Sequence, residues 1–315
     1  MRTGWLEGGV HLATKPEPSA RTLPPLARET GQLLGVWIVS AIPAVVATRH
    51  QYTWSLLLFI APLLLTGHAL HRRGALRPLL RPALLALALL VPMGGVLTVG
   101  LADDFFVYPN EGAVLGLTFP AIDLGGVDHA ARIPVEELAF YLLGFAALLS
   151  LYAWADAVLL PAPRPLRQAP RVTWAELAVG LATGLALTAA GWALQRVTNP
   201  ASPAPAYFAY LMLVPLPVML ACGPAVAHRI NWPALALVCL ALWGHSILWE
   251  VTLAIPQGWW GYQQPAMLGL SIHAWHELPL EAVLVWLMTP VATVITFETL
   301  RAGVSPLHRS TTDEA

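Results

Sequence analysis

Charge is what this chain has least of. Only 11% of its 315 residues are Asp, Glu, Lys or Arg, against roughly a quarter in soluble domains, while 57% are apolar and the mean hydropathy is +0.63. That balance excludes an ordinary water-soluble globular protein and indicates an integral membrane protein. A formal net charge of -1 carries no basic footprint for nucleic acid. Cysteine is scarce as well: Cys222 and Cys239 make no CxxC or metal spacing and read as packing residues. No GxGxxG or P-loop run occurs, so neither flavin nor nucleotide, nor any other cofactor, is expected. No continuous apolar region precedes residue 32, so no cleavable signal is expected there.

What the chain does have is long apolar runs. They can be read at 31–48, 53–70, 82–102, 133–157, 173–195, 206–222, 231–254 and 278–300, each long enough to span a bilayer or nearly so. The expected fold is therefore all-α and polytopic, with about eight transmembrane helices. Loop charge tests that count independently. With eight spans, 14 of the 17 Lys and Arg fall on the side of the N-terminus, and only Arg49, Arg132 and Arg196 on the other. The asymmetry puts both termini in the cytoplasm of a cell-membrane (inner-membrane) protein. Residues 1–30 and 302–315 read as cytoplasmic tails, the first of them disordered, and the Pro-rich basic stretch 161–171 as a linker between two halves, 31–160 and 172–301.

The halves echo one another. Ile133-Pro134-Val135-Glu136-Glu137 returns 145 positions later as Leu278-Pro279-Leu280-Glu281-Ala282. Upstream of each copy, Phe105-Phe106-Val107-Tyr108 matches Trp259-Trp260-Gly261-Tyr262, and Leu115-Gly116-Leu117 matches Leu268-Gly269-Leu270. Agreement at both ends, with indels between, points to internal duplication. Four helices per half is an even number, which predicts parallel repeats about an axis along the membrane normal. The segment 105–132 is too apolar for a free loop, so part of it is expected to lie in the interface or fold back over the helix ends.

Ionisable residues at membrane depth are expensive and functional by default. The candidates here are Glu136, Glu137, Glu250, Glu281 and the Asp103-Asp104 pair. A single glutamate after a helix-starting proline often only complements the helix dipole. Recurrence in matched context favours a functional role for Glu136 and Glu281, whereas Glu137 has no counterpart because the second copy carries Ala282. Glu137 shares a helical face with Tyr141, and Glu136 with Phe140. Carboxyl groups among aromatic side chains suit one chemistry in particular: a desolvated carboxyl can hold a proton, and aromatic faces stabilise a carbocation without capturing it. His276-Glu277-Leu278-Pro279 lacks the second histidine of HExxH, and its proline spoils the helix that zinc motif needs. Interfacial histidines bonded to nearby carboxylates are expected instead. Asp103-Asp104-Phe105-Phe106-Val107 likewise stops short of DDxxD.

These residues resemble a known family. Leu248-Trp249-Glu250, Gly258-Trp259-Trp260-Gly261-Tyr262, Leu268-Gly269 and Leu278-Pro279-Leu280-Glu281, with Ile133-Pro134-Val135-Glu136-Glu137 and Phe140-Tyr141, are similar to the lycopene cyclase domain of the heterodimeric and fused carotenoid cyclases of actinobacteria, archaea and fungi. The resemblance covers 104–145 and 245–290, under a third of the chain. It implies a metal-free isomerisation in which a glutamic acid protonates a terminal double bond of a carotenoid, the tertiary cation is attacked by the next double bond, and a carboxylate removes a proton. Glu136 and Glu281 would then be acid and base, with Glu250, Glu137 and Asp104 as further members of the catalytic set. Trp260, Tyr262, Tyr108, Phe140 and Trp249 would surround the cation. The partners it implies are a carotenoid or other isoprenoid lipid, the membrane, and other carotenoid-pathway enzymes. Ala282 in place of a second acid, and a chain longer than a minimal cyclase, keep open a terpene or meroterpenoid cyclase on another isoprenoid, or a non-catalytic carotenoid-binding partner subunit.

Overall fold

Among the described residues, seven helical stretches are long and apolar enough to cross a bilayer: Gln51–Arg72, Leu76–Gly95, Val135–Leu159, Trp174–Thr198, Ala206–Val226, Trp232–Ala254 and Leu280–Gly303. An eighth apolar stretch, Thr30–Val46, is shorter. These come from a computed structural model that describes residues 26–96, 105–120, 132–162 and 172–304. Most of the expected tails and linker, the end of the third span, and Asp103, Asp104, Asp123 and Asp128 lie outside the described residues.

The helices are α1 (Leu26–Val46), α2 (Gln51–Ser55), α3 (Leu57–Arg72), α4 (Leu76–Leu90), α5 (Val135–Trp154), α6 (Trp174–Thr198), α7 (Ala206–Leu213), α8 (Pro215–Val226), α9 (Trp232–Trp249) and α10 (Leu280–Val304). Three of them, α4, α5 and α9, run on into π-helical turns at Val91–Val96, Ala155–Leu159 and Glu250–Ala254.

Sequence chemistry sets several boundaries. Thr173 caps α6 with a reciprocal box: Glu176 N–H donates to the Thr173 hydroxyl at 3.2 Å, and Thr173 N–H to the Glu176 carboxylate at 2.7 Å. Asn231 caps α9 by accepting from Ala234 N–H. Pro62 lies inside α3 and has no N–H to give to the Leu58 carbonyl one turn back. The Trp37 indole N–H of α1 fills that gap, donating to Leu58 O at 3.0 Å. A helix-breaking residue thus becomes the anchor of the first helix.

Small residues bring α6 against α7 and α8. A Cβ on Gly184 would stand 2.2 Å from the Met212 carbonyl oxygen, and one on Gly180 would stand 3.0 Å from that of Pro217. Only glycine permits this approach, the usual device for packing helices without a hydrophobic driving force.

Among the described residues, three short strand pairs cover one end of the bundle. β1 (Phe106–Val107) pairs antiparallel with β4 (Gly261–Tyr262), Phe106 opposite Tyr262. β2 (Thr118–Pro120) pairs with β3 (Arg132–Pro134), and β5 (Ser271–Ile272) with β6 (Leu278–Pro279). The described part of 105–132 therefore does fold over the helix ends, and it is tied to the loop that precedes α10. Gln263 N–H donates to Phe105 O at 2.9 Å, and Asn110 N–H to Gly258 O at 2.9 Å.

Candidate functional site

Four buried glutamates at the looped end fall into two pairs with different surroundings. Glu136, in the first turn of α5, accepts the Leu115 N–H at 2.7 Å and the Thr53 hydroxyl at 2.5 Å through Oε1. Glu281, in the first turn of α10, accepts the Leu268 N–H at 2.6 Å. Both are essentially fully buried, at 1% and 0% exposure. The turns they hold match closely: Gly116 has φ +80° and Gly269 has φ +79°, a left-handed conformation that glycine adopts without strain. In each case the helix start is also tied by backbone, Val135 N–H to Leu117 O and Leu280 N–H to Leu270 O, both at 2.9 Å. These two carboxylates therefore fasten loops to helix starts.

Glu137 and Glu250 instead line a cavity between the helices. The cavity holds about 840 Å³ of space not filled by atoms, part of it open to the surroundings. Tyr52 donates to Glu137 Oε2 at 2.7 Å, and Tyr262 donates to Glu250 Oε1 at 2.7 Å. The second oxygen of Glu250 is buried and makes no close hydrogen bond among the described residues, with the Trp286 indole beside the carboxyl. Tyr52 is placed by its helix start: His50, at φ +57°, donates its N–H to Gly112 O at 2.8 Å and bonds Val114 O through Nδ1 at 2.8 Å. Glu250 sits on the first residue of the π turn that ends α9.

Most of the rest of the lining is aromatic, and among the described residues no Lys, Arg or His lines it. Trp260 packs on Tyr52, with centroids 5.1 Å apart, and Phe59 meets Phe140 edge-on at 5.3 Å. Tyr262 stands 5.6 Å from Phe106 across the β1–β4 pair. Tyr108 and Tyr262 lie on the covering loops. Burial first, and then the neighbouring carboxyls of Glu137 and Glu250 respectively, push their phenols well above 10. Both remain protonated donors at any physiological pH.

Of the residues singled out in the sequence, Glu137, Glu250, Trp260, Tyr262 and Phe140 line the cavity. Tyr108 adjoins the Glu137 carboxyl. Trp249 backs Trp260 at 4.6 Å but faces an outer groove between α1 and α9. Glu136 and Glu281, expected as acid and base, do not line the cavity, because backbone N–H groups of the loops hold their side chains. Asp104 lies outside the described residues. His273 bonds Glu277 at 2.6 Å on the exposed loop. Among the described residues no group of three or more His, Cys, Asp or Glu could hold a metal ion.

Sequence reading passed over Tyr52, Tyr207, Tyr210, Trp286 and Phe59, all on the cavity wall. A signal was available. Five of the chain's seven tyrosines line the cavity and a sixth, Tyr108, adjoins it, a concentration that a search for acids alone does not register. No known family model, curated protein or solved structure matches this chain.

Proposed function

We propose that the chain is a membrane carotenoid cyclase of the lycopene type, closing the end group of a linear polyene by acid–base catalysis without net redox change. One observation carries the reading: two buried carboxyls, each bonded by a tyrosine hydroxyl, share one cation-free aromatic cavity among membrane-spanning helices. In this mechanism one of Glu137 and Glu250 donates a proton to the terminal double bond. The resulting tertiary cation is attacked by the next double bond along the chain, forming the ring. The other carboxylate then takes a ring proton, so the substrate is isomerised and one proton has passed from acid to base. Tyr52 and Tyr262 hold the two carboxyls in place. The faces of Trp260, Phe140 and Trp286 stabilise the cation and offer it no nucleophile. Glu136 and Glu281 keep the covering loops in place.

The same reading takes the chain as two parallel repeats of four helices. Its support is the recurrence of the Leu115–Glu136 bond as Leu268–Glu281, and of the Gly116 turn as Gly269. The 14-to-3 segregation of basic residues supports cytoplasmic termini in the cell membrane.

The test is pigment analysis of a lycopene-accumulating bacterial host expressing the chain, beside hosts carrying Glu137→Gln or Glu250→Gln. Monocyclic or bicyclic carotene is expected with the parent, falling about 100-fold or more in each variant. Lycopene left unchanged by a parent chain present in the membrane would overturn the reading, as would cyclic product undiminished in both variants.

A further inference from the structure

Along α5 the wall of the aromatic cavity has a regular spacing. Glu137, Tyr141, Gly144 and Leu148 all line it, at i, i+4, i+7 and i+11, positions that share one helical face. The wall therefore follows α5 for about 16 Å from the carboxyl to Leu148, at 1.5 Å per residue. The facing helices extend it to a similar depth. Leu242 lines it eight residues before Glu250 on α9, and Thr289 eight residues after Glu281 on α10, each about 12 Å of helical rise. Both carboxyls and the five lining tyrosines lie within two turns of the looped end. Beyond them the wall is mainly Gly144, Phe145, Leu148, Leu242 and Thr289. The cavity thus has a polar head and an apolar tail.

Ring closure needs only the head, because the double bonds that react are the two nearest the end of the substrate. The tail has room for a part of the molecule that does not react. Gly144 keeps that room open. A glycine in mid-helix weakens the helix, and at Gly180 and Gly184 the loss is offset by close backbone approach. Gly144 has no such contact: a Cβ there would meet nothing within 4 Å. The space beside it belongs to the cavity, and a larger side chain would occupy it.

We propose that Gly144 is a specificity-determining residue, opening a channel along α5 for the unreacted arm of an extended linear isoprenoid whose end group lies between Glu137 and Glu250. The inference rests on the cyclase reading and narrows it to long, unfolded chains. The arm runs from the looped end toward the middle of a hydrocarbon core roughly 30 Å thick, so the substrate stands along the helices and presents one end at a time.

The test uses the full-length chain in nanodiscs, with lycopene as the probe. Gly144→Phe is expected to raise KM for lycopene roughly 100-fold, the upper range of discrimination by shape in an apolar pocket. Its kcat at saturation should stay near that of the parent, because uniform binding is lost while acid and base are untouched. In a Glu250→Gln background, where lycopene is held without turnover, the same change should release the pigment, read by its absorption in the purified discs. The unfolding midpoint should not fall, since the new side chain enters open space and replaces a weak helix former. Gly67→Phe is the matched control: a Cβ at Gly67 of α3 also meets nothing, and Gly67 does not line the cavity, so binding and turnover should equal those of the parent. Lycopene held and cyclised as well by Gly144→Phe as by the parent overturns this inference alone. So does an equal loss in Gly67→Phe, a fall in kcat with KM unchanged, or a lowered midpoint, which would make Gly144 a packing residue. A parent that neither holds nor cyclises lycopene sinks instead the reading on which the inference rests.

Discussion

Asp156 and Arg301 meet at 3.3 Å across the bundle, at the end opposite the covering loops, and they are 145 positions apart. The same interval separates Glu136 from Glu281. Two positions that correspond by that spacing therefore carry opposite charges and bond each other. Around them Arg301 also reaches Glu298 at 3.1 Å, and Asn231 donates to Asp156 at 3.1 Å. Asp156 and Glu298 are buried, whereas Arg301 is about one-fifth exposed.

Breaking this cluster should be costly. Arg301→Leu leaves two buried carboxyls without their shared cation, a change worth about 3 kcal/mol, the lower end of the usual range because the guanidinium is partly exposed. Thermal unfolding in detergent checks it. Combining Arg301→Leu with Asp156→Leu should cost less than the sum of the two single changes; strict additivity would show that the pair is not coupled.

The two classes of glutamate should separate experimentally. Glu281→Ala orphans the Leu268 N–H, at about 1–3 kcal/mol, and should speed hydrogen exchange at 268–270. Glu137→Gln should leave that exchange unchanged. In the pigment assay Glu281→Gln, which keeps an acceptor oxygen, should retain cyclisation while Glu137→Gln loses it. The reverse pattern would return the acid–base role to the repeated glutamates.

Gly184→Ala tests the contact of α6 with α7. Its methyl would fall 2.2 Å from a backbone oxygen that cannot rotate away, so overpacking should cost about 1–3 kcal/mol. Gly180→Ala, at 3.0 Å from its neighbour, should cost less. A parent-like midpoint for Gly184→Ala would mean that the helices do not approach as described.

The loop before α10 should respond to acid. Glu277 accepts from the Ser271 hydroxyl at 2.6 Å and bonds His273, and these contacts hold its carboxyl below the ordinary 4.5. A depressed carboxyl stabilises the folded loop above its unfolded value, and the contribution disappears as pH falls through the lower folded value. Hydrogen exchange over 271–278, corrected for intrinsic rate, should accelerate on acidification below about pH 4.5. Glu277→Gln should flatten that dependence.

Composition and run length made the membrane class and the helix positions legible, because burial in lipid demands long apolar stretches whatever they pack against. The third span begins earlier than expected, at Leu76 and not residue 82, since Arg77 and Arg81 can extend their charged heads toward the interface from inside a helix. Which of Glu136 and Glu137 faces the cavity was not legible for a different reason. Adjacent helical residues point about 100° apart, and recurrence shows which position is kept, not which one faces the cavity. Here the recurring carboxylate turns toward a loop and its unmatched neighbour toward the aromatic wall. The loop hydrogen bonds that decide this join residues far apart in sequence and leave no local periodicity.

The pairing of Phe106 with Tyr262 also bears on biogenesis. The two residues are 156 positions apart, so at about 5–20 residues per second the ribosome needs roughly 10–30 s to deliver the second strand after the first. For most of that interval the early helices sit in the membrane with β1 unpaired and Glu250 not yet made. Tyr52 precedes β1 and Glu137 follows Phe106 by 31 residues, but the cavity they line cannot close before the last helix is inserted.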